Sequence, residues 1–340
     1  MNADQAEPDS RDPGVPNLTT VGVSIVMPVL NEEKYLDTSV RRLLNQQYDG
    51  PLEVVLALGP SQDATNEVAN ALRIADARVI LVDNPSGRTP TGLNSAIAAS
   101  QYSYVVRCDG HAEVPSDYIA TAVETLERTG ADNVGGIMAA VGTTRFEKAV
   151  AGAMRSALGV GASRFHTGGK AGAVDTVYLG AFRREALVAI GGFDERFTRA
   201  QDWELNFRLR ENGGIIYFDP RLHVTYQPRP NLKALAKQYF EYGRWRRVVS
   251  RRYAGTINAR YLAPPVALIG FSLSLILAMV QGPLFLIPAL IYIAFIVLAS
   301  VRISTSFREF LILCLVLPTM HFAWGAGFLL SSQSLVPAAR

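Results

Sequence analysis

In the stretch VVRCDGHAEVP, an apolar β-branched run passes straight into Asp109, Gly110 and His111. Alternate residues of an extended chain face the same side, so Asp109 and His111 offer two potential metal ligands with the permissive Gly110 between them. One or two carboxylates plus substrate phosphates are the usual cradle of Mg2+, and an imidazole moves the preference towards Mn2+. Taken alone, the triplet serves equally well as a structural turn. A further carboxylate, Asp202 in RAQDWELNF, opens a helical stretch whose dipole keeps an acid ionised. It reads as a general base for a hydroxyl group or, by itself, as the N-cap of a helix from Trp203 to Glu211.

Other polar residues follow other apolar runs. PVLNEE places Pro28, Asn31, Glu32 and Glu33 at a helix start, with Asn31 a natural N-cap. GPSQDAT holds Ser61 and Asp63, each an N-cap candidate beside a tight turn. DNPSGRTPTGLNSAI sets Arg88 in a Gly/Pro loop ahead of a helix containing Asn94, where a cation can face phosphate or simply be solvated. RFHTGGKAGAVDTVYLG carries His166, Lys170 and Asp175 around a glycine-rich loop, ahead of a strand expected to end at Gly180. Such a loop can close over a bound substrate, although each residue singly is ordinary loop polarity.

The elements that position these residues alternate. The runs VSIVMPV, LEVVLALG, RVILVD, YSYVVRC and NVGGIMAAV are separated by helix-period stretches over 32–46, 63–74 and 115–128, the pattern of stacked βαβ units. A mostly parallel α/β sheet follows, in which ligands gather beyond the carboxyl ends of the strands. Residues 231–253 place Leu232, Leu235, Ala236, Tyr239 and Phe240 on one helical face and carry seven Lys/Arg against one Glu, which suits a helix on an anionic membrane surface. From Tyr261 to Val301 no charged residue occurs, room for two membrane spans turning at Gln281–Pro283, and a third uncharged run follows Glu309. The expected organisation is an acidic, proline-bearing disordered tail (1–20), a catalytic domain (21–230), basic interfacial helices (231–260) and a membrane region of about three helices (261–332).

Composition excludes several classes. A net charge of +3 over 340 residues gives no basis for nucleic-acid binding. Two cysteines, Cys108 and Cys314, support neither a disulfide framework nor a zinc site.

Read together, PVLNEE, SQDAT, GLNSAI, VVRCDGHAEVPSDYI, VYLGAFRREAL, IGGFDERF and QDWELNFRLRENG occur in the order and spacing of the inverting glycosyltransferases of family 2, which have the GT-A fold. The resemblance covers about residues 21–250, and RCDGHA with RAQDWELNFRL is most similar to bacterial enzymes of succinoglycan-type exopolysaccharide synthesis. It implies that Pro28, Asn31, Glu32 and Asp63 contact the nucleotide, and that Arg88 and Asn94 approach the diphosphate and sugar. It further implies that Asp109 reaches the diphosphate through a divalent ion, with His111 replacing a second carboxylate. Asp202 matches the family's base, and YGRWRR is a loose relative of a motif that brings Arg244 and Trp245 near the donor. His166 and Lys170, in the glycine-rich loop, are candidates for the acceptor side or for the loop that closes over it. The family's uracil-reading Asp is absent, since Leu58 and Gly59 stand there.

The implied activity is transfer of a sugar from a nucleotide-sugar, a UDP-sugar in the first instance, to a lipid-linked or polysaccharide acceptor, with Mg2+ or Mn2+ as cofactor. Basic residues before the first span (Arg244 to Arg260) and between the second and third (Arg302, Arg308) place both loops, and the catalytic domain, on the cytoplasmic side of the inner membrane. Three spans are too few for a polymer channel, so single-residue addition is expected. The alternatives are a noncatalytic nucleotide-sugar-binding assembly subunit, and a sugar nucleotidyltransferase, whose glycine- and lysine-rich loop PVLNEEKYL does not provide.

Overall fold

The computed structural model describes residues 21–336, so the tail expected over 1–20 lies outside the described residues. The first half alternates β1 (Val23–Val29), α1 (Leu36–Leu44), β2 (Leu52–Leu58), α2 (Thr65–Ala75), β3 (Val79–Asp83), α3 (Thr89–Ala99), β4 (Tyr104–Arg107), α4 (Tyr118–Thr129) and β5 (Asn133–Ala140). There follow α5 (Arg145–Met154), the short α6 (Ala157–Val160) and α7 (Arg164–Thr167), β6 (Gly172–Ala173), β7 (Tyr178–Arg183), α8 (Arg184–Ala189), α9 (Gln201–Glu211) and β8 (Ile216–Tyr226). Four long helices close the chain: α10 (Leu232–Arg252), α11 (Ala259–Gln281), α12 (Ile287–Ile303) and α13 (Phe307–Leu329).

Among the described residues the strands form one sheet in the order β3-β2-β1-β4-β7-β5-β8-β6. β1 pairs in parallel with β2 and β4, β2 with β3, and β5 with β8; β7 is antiparallel to both β4 and β5. The continuous apolar runs of β1 and β2 are buried on both faces, as parallel strands between helical layers must be. One layer sets Leu36, Val40, Ile119 and Leu126 against the sheet, the other Leu93, Leu187, Leu205 and Leu209. Two local expectations change. The helix sought from residue 32 begins only at Leu36, because Asn31 takes a left-handed φ of 57° and the next residues turn. Gly180 does not end a strand but lies inside β7, where a Cβ would sit 2.2 Å from Asn133 Oδ1.

The C-terminal helices depart more from their expected arrangement. Three segments, Ala259–Gln281, Pro283–Ile303 and Phe307–Leu329, are long and apolar enough to cross a membrane. α11 and α12 make a hairpin pinned by Ser274 Oγ, which donates to the Phe285 carbonyl, and most of its apolar side chains, such as Met279 and Leu298, remain exposed. α13 instead shares a core with the catalytic domain: Leu313, Val316, Leu317 and Met320 pack with Met138, Val150, Leu235 and Tyr239. Thus α10 does not lay its apolar face on lipid; Leu235 and Tyr239 are buried by α13, and only Leu232 of the expected stripe is exposed. The two helices approach to backbone contact, since a Cβ on Gly243 would lie 2.0 Å from the Trp324 carbonyl and one on Gly327 2.0 Å from that of Phe240. Small residues that admit such contact are how helices associate where lipid offers no hydrophobic drive.

Candidate active site

Asp109 and Asp202 converge on Arg107, the last residue of β4. The guanidinium donates to Asp109 Oδ1 at 3.2 Å and makes a closer contact with Asp202 Oδ1, while its own side chain is only 5% exposed. Burial works against that charge, but Asp202 and then Asp109 hold the guanidinium protonated, with its pKa raised. Conversely, burial pushes the Asp202 carboxyl up from the ordinary carboxylate value, Arg107 pulls it back, and Asp109 adds to the rise. A carboxylate kept ionised by one cation yet made more basic by burial suits proton abstraction.

Asp202 is not the N-cap its sequence permits. Ala200 holds that position with φ 57°, and no side chain caps the helix. Asp202 lies in the first turn of α9, where the dipole and Arg107 both favour its anion. Residues further along the helix fix its surroundings: Glu204 grips Arg208, which donates to the carbonyls of Ile190 and Gly192. Asn94 secures the same loop, giving one hydrogen bond to the Phe193 carbonyl and taking one from its N–H, both at 2.8 Å. Its side chain also donates to Glu195, so Asn94 acts through the loop it holds.

The loops after β1 and β2 are laced together. Asn31 N–H donates to Ser61 Oγ (3.1 Å) and Asn31 Oδ1 accepts from Gln62 N–H (2.8 Å). Glu32 N–H donates to Thr65 Oγ1, Glu33 N–H to Asp63 Oδ2, and Ala64 N–H to Glu33 Oε2. Asp63 also accepts from the Thr65 hydroxyl, the leading cause of its lowered pKa. Neither Asn31, Ser61 nor Asp63 is an N-cap: α1 and α2 follow Tyr35 and Ala64. Pro28 packs against α3, 3.2 Å from where a Cβ on Gly92 would stand. Arg88 precedes α3 as its N-cap, its side chain exposed and without a partner among the described residues.

His111 Nδ1 lies 2.9 Å from Glu32 Oε1, and that bond chiefly raises the imidazole pKa against the opposing effect of burial. Asp109 Oδ2 makes no hydrogen bond among the described residues, and Asp109 acts electrostatically on His111. No group of three or more His, Cys, Asp or Glu side chains among the described residues could hold a metal. This donor set, hard oxygens and one imidazole, fits a divalent ion completed by diphosphate oxygens and water.

Several relevant residues went unsought in the sequence. Arg107 had a signal, because an arginine ending an otherwise apolar strand must be paired if buried. Arg229, after β8, lies within electrostatic range of His111 and of Tyr242, and nothing in its local pattern marks it. Arg244, expected near the donor, pairs with Glu241 at 2.6 Å, and Trp245 is buried beside Phe197. Lys170 is exposed, and His166 lines a cavity between the α6–α7 region and the C-terminal helices.

Strand order, crossover helices and a carboxylate at the end of β4 define a nucleotide-diphospho-sugar transferase of the GT-A class. The chain belongs to glycosyl transferase family 2, whose model matches residues 24–191. It is 32% identical over 92% of its length to the succinoglycan biosynthesis protein ExoA of Rhizobium meliloti, 95% of which is covered. It is 25% identical to a dolichyl N-acetyl-α-D-glucosaminyl phosphate 3-β-D-2,3-diacetamido-2,3-dideoxy-β-D-glucuronosyltransferase of Methanococcus voltae, over 90% of this chain and 95% of that one. Among solved structures, the mannosyltransferase PcManGT of Pyrobaculum calidifontis, in complex with GDP-Man and Mn2+, superposes with a TM-score of 0.62 at 19% identity, covering 91% of this chain and 86% of that one. TarS 1–349 of S. aureus in complex with UDP gives 0.52 at 16% identity, with 90% of each chain covered.

Proposed function

We propose that this glycosyltransferase moves a sugar, with inversion, from a nucleoside-diphospho-sugar to a lipid-linked saccharide during assembly of a bacterial cell-surface polysaccharide. The observation that carries it is the bridge Asp109–Arg107–Asp202, which sets a diphosphate-side carboxylate and a base on one buried cation. Asp202 takes the proton of the acceptor hydroxyl, the freed oxygen attacks the anomeric carbon from the face opposite the nucleotide, and the nucleoside diphosphate leaves with the bonding electrons. Asp109, with His111 beside it, would hold a Mg2+ or Mn2+ ion that neutralises charge growing on the leaving diphosphate. Arg88 and Arg229 add positive charge near that group, and the laced loops after β1 and β2 form the wall for the nucleotide.

A UDP-sugar is the first donor to test. Support for the acceptor comes from the apolar C-terminal helices and from the relatives named for succinoglycan biosynthesis and for a dolichyl-phosphate sugar. Residues Arg244 to Arg260 set the catalytic domain on the cytoplasmic side of the inner membrane. Membranes containing the chain, given radiolabelled UDP-sugars and a polyprenyl-diphosphate saccharide, should yield label in the lipid extract and free UDP, with loss on chelation and recovery with Mn2+. Tight donor binding with no labelled lipid from any donor would reject catalysis in favour of an assembly role.

A further inference from the structure

The His166 cavity has a volume of about 490 Å3 and lies where the catalytic domain meets the three C-terminal helices. Its two ends differ. Towards the domain stand His166, Tyr242, Arg260 and Tyr261; towards the helices it is walled by Ala267, Phe295 and Met320, with Tyr292 and His321 between them already hydrogen-bonded to each other, and His321 to the Leu158 carbonyl. Within α11, Pro264 and Pro265 supply no N–H, so the carbonyls of Arg260 and Tyr261 lose their helical partners at the mouth.

Two buried nitrogens on the polar side lack any hydrogen bond, His166 Nδ1 and Arg260 Nε. Buried donors and acceptors are nearly always satisfied, so this pair beside the cavity has capacity for a polar partner. Arg260 is only loosely neutralised: Asp175 is 4.0 Å away and largely exposed, the guanidinium donates to the Ala162 carbonyl and the Tyr261 hydroxyl, and it lies 4.7 Å from the Tyr261 ring centre. Burial pushes His166 down to about 4, so at neutral pH the imidazole is an uncharged partner beside that cation.

The polar end also adjoins the catalytic centre. Tyr261 carries the Arg246 guanidinium 3.7 Å from its ring centre, and Arg246 in turn covers Trp203 at 4.0 Å, the residue after Asp202. From the other side, Tyr242 acts electrostatically on Tyr178, which also feels Asp109 and Arg107. We propose that this cavity binds the phosphate-bearing end of the single-chain polyprenyl-diphosphate acceptor, its phosphates on Arg260 and His166 and the first isoprene units between α11, α12 and α13, with polyprenyl phosphate as its minimal probe. This rests on the lipid-acceptor reading above and names where that acceptor is held. The volume falls in the range of roughly 300–1,000 Å3 usual for small-molecule sites, enough for the head and a short length of chain, with the remainder in the bilayer. A two-chain phospholipid would have to admit a second tail between the same helices.

The test uses the full chain in detergent, with polyprenyl phosphate, phosphatidylglycerol and inorganic phosphate as separate probes in native mass spectrometry and competition binding. Polyprenyl phosphate should be retained at least tenfold more tightly than either other probe. Ala267→Trp, which fills the apolar end, and Arg260→Gln, which removes the cation, should each weaken it at least tenfold, with thermal unfolding as the check that both variants fold. Equal retention of phosphatidylglycerol, retention of phosphate alone, or binding by both folded variants within twofold of the parent would overturn the site. Failure of the acceptor reading looks different: polyprenyl phosphate would bind and respond to both substitutions, yet no lipid-linked saccharide would receive sugar. If lipid were glycosylated by the parent and by both folded variants at the same KM, the acceptor reading would stand and this cavity would be wrong.

Discussion

Arg107 gives Asp202 its chemistry as well as its place. Asp202→Asn keeps the size and an oxygen for Arg107, so folding and donor affinity should persist while transfer falls by roughly 10²- to 10⁴-fold, the usual worth of a general base. Normal turnover at saturating donor would reject that role. The base must be ionised, so the rate should rise with pH through the Asp202 pKa, which burial has raised from the ordinary carboxylate value. Arg107 lowers that pKa, and Arg107→Gln should therefore move the acid limb to higher pH, while Arg107→Lys largely preserves it. An unmoved limb in the folded Gln variant would separate the two residues. Both acids were legible in the sequence, Asp109 as a polar residue following an apolar run and Asp202 as one opening a helical pattern. The cation joining them was not, since residues 107 and 202 meet only through tertiary packing. Asn31, Asp63 and Asn94 show the converse limit: the type of an amide or carboxylate does not reveal whether it faces a ligand or satisfies neighbouring backbone.

The sheet's parallel half was readable because doubly buried strands leave continuous apolar runs separated by amphipathic helices. The antiparallel insertion of β7 between β4 and β5 was not, because its pairing is entirely non-local. α10 was misplaced for a related reason: an apolar helical stripe looks the same whether lipid or another helix covers it. The distinguishing signal was small residues, Gly243 on α10 and Gly327 on α13. Gly243→Val would drive side-chain atoms into the Trp324 backbone, already 2.0 Å from an ideal Cβ. It should destabilise the chain by about 1–3 kcal/mol or more, as overpacking does, seen as a lower unfolding temperature in detergent. Gly255→Val serves as a comparison for glycine loss where no atom lies within 4 Å, although its φ of 76° adds backbone strain. Equal losses in the two variants would deny that the α10–α13 crossing is close-packed.

α13 remains against the catalytic domain along its whole length. Near its start, Glu309 approaches Gly152; midway, His321 Nε2 donates to the Leu158 carbonyl; beyond its end, Ser331 donates to that of Arg244, and Leu335 and Val336 pack near Phe197. Hydropathy alone counts three spans and puts the C-terminus across the membrane from the domain. The packing predicts instead that a reporter after Arg340 lies on the same side as the catalytic domain, with α11 and α12 crossing and returning. A far-side signal would require α13 to leave this core. Deleting residues 261–340 should likewise uncover Leu235, Tyr239 and Met138 and give an aggregating product. The close contact of α10 with α13 has another consequence if the acceptor is lipid-borne. Because α13 also packs on α11, where a Cβ on Gly325 would lie 2.7 Å from the Pro264 carbonyl, the catalytic body is joined to the α11–α12 hairpin and cannot rise or tilt freely, so Asp202 is held at a constant height above the bilayer. The enzyme then works as a ruler: a glycan of the right length presents its terminal hydroxyl to the base, and the sugar just added carries the new end past it.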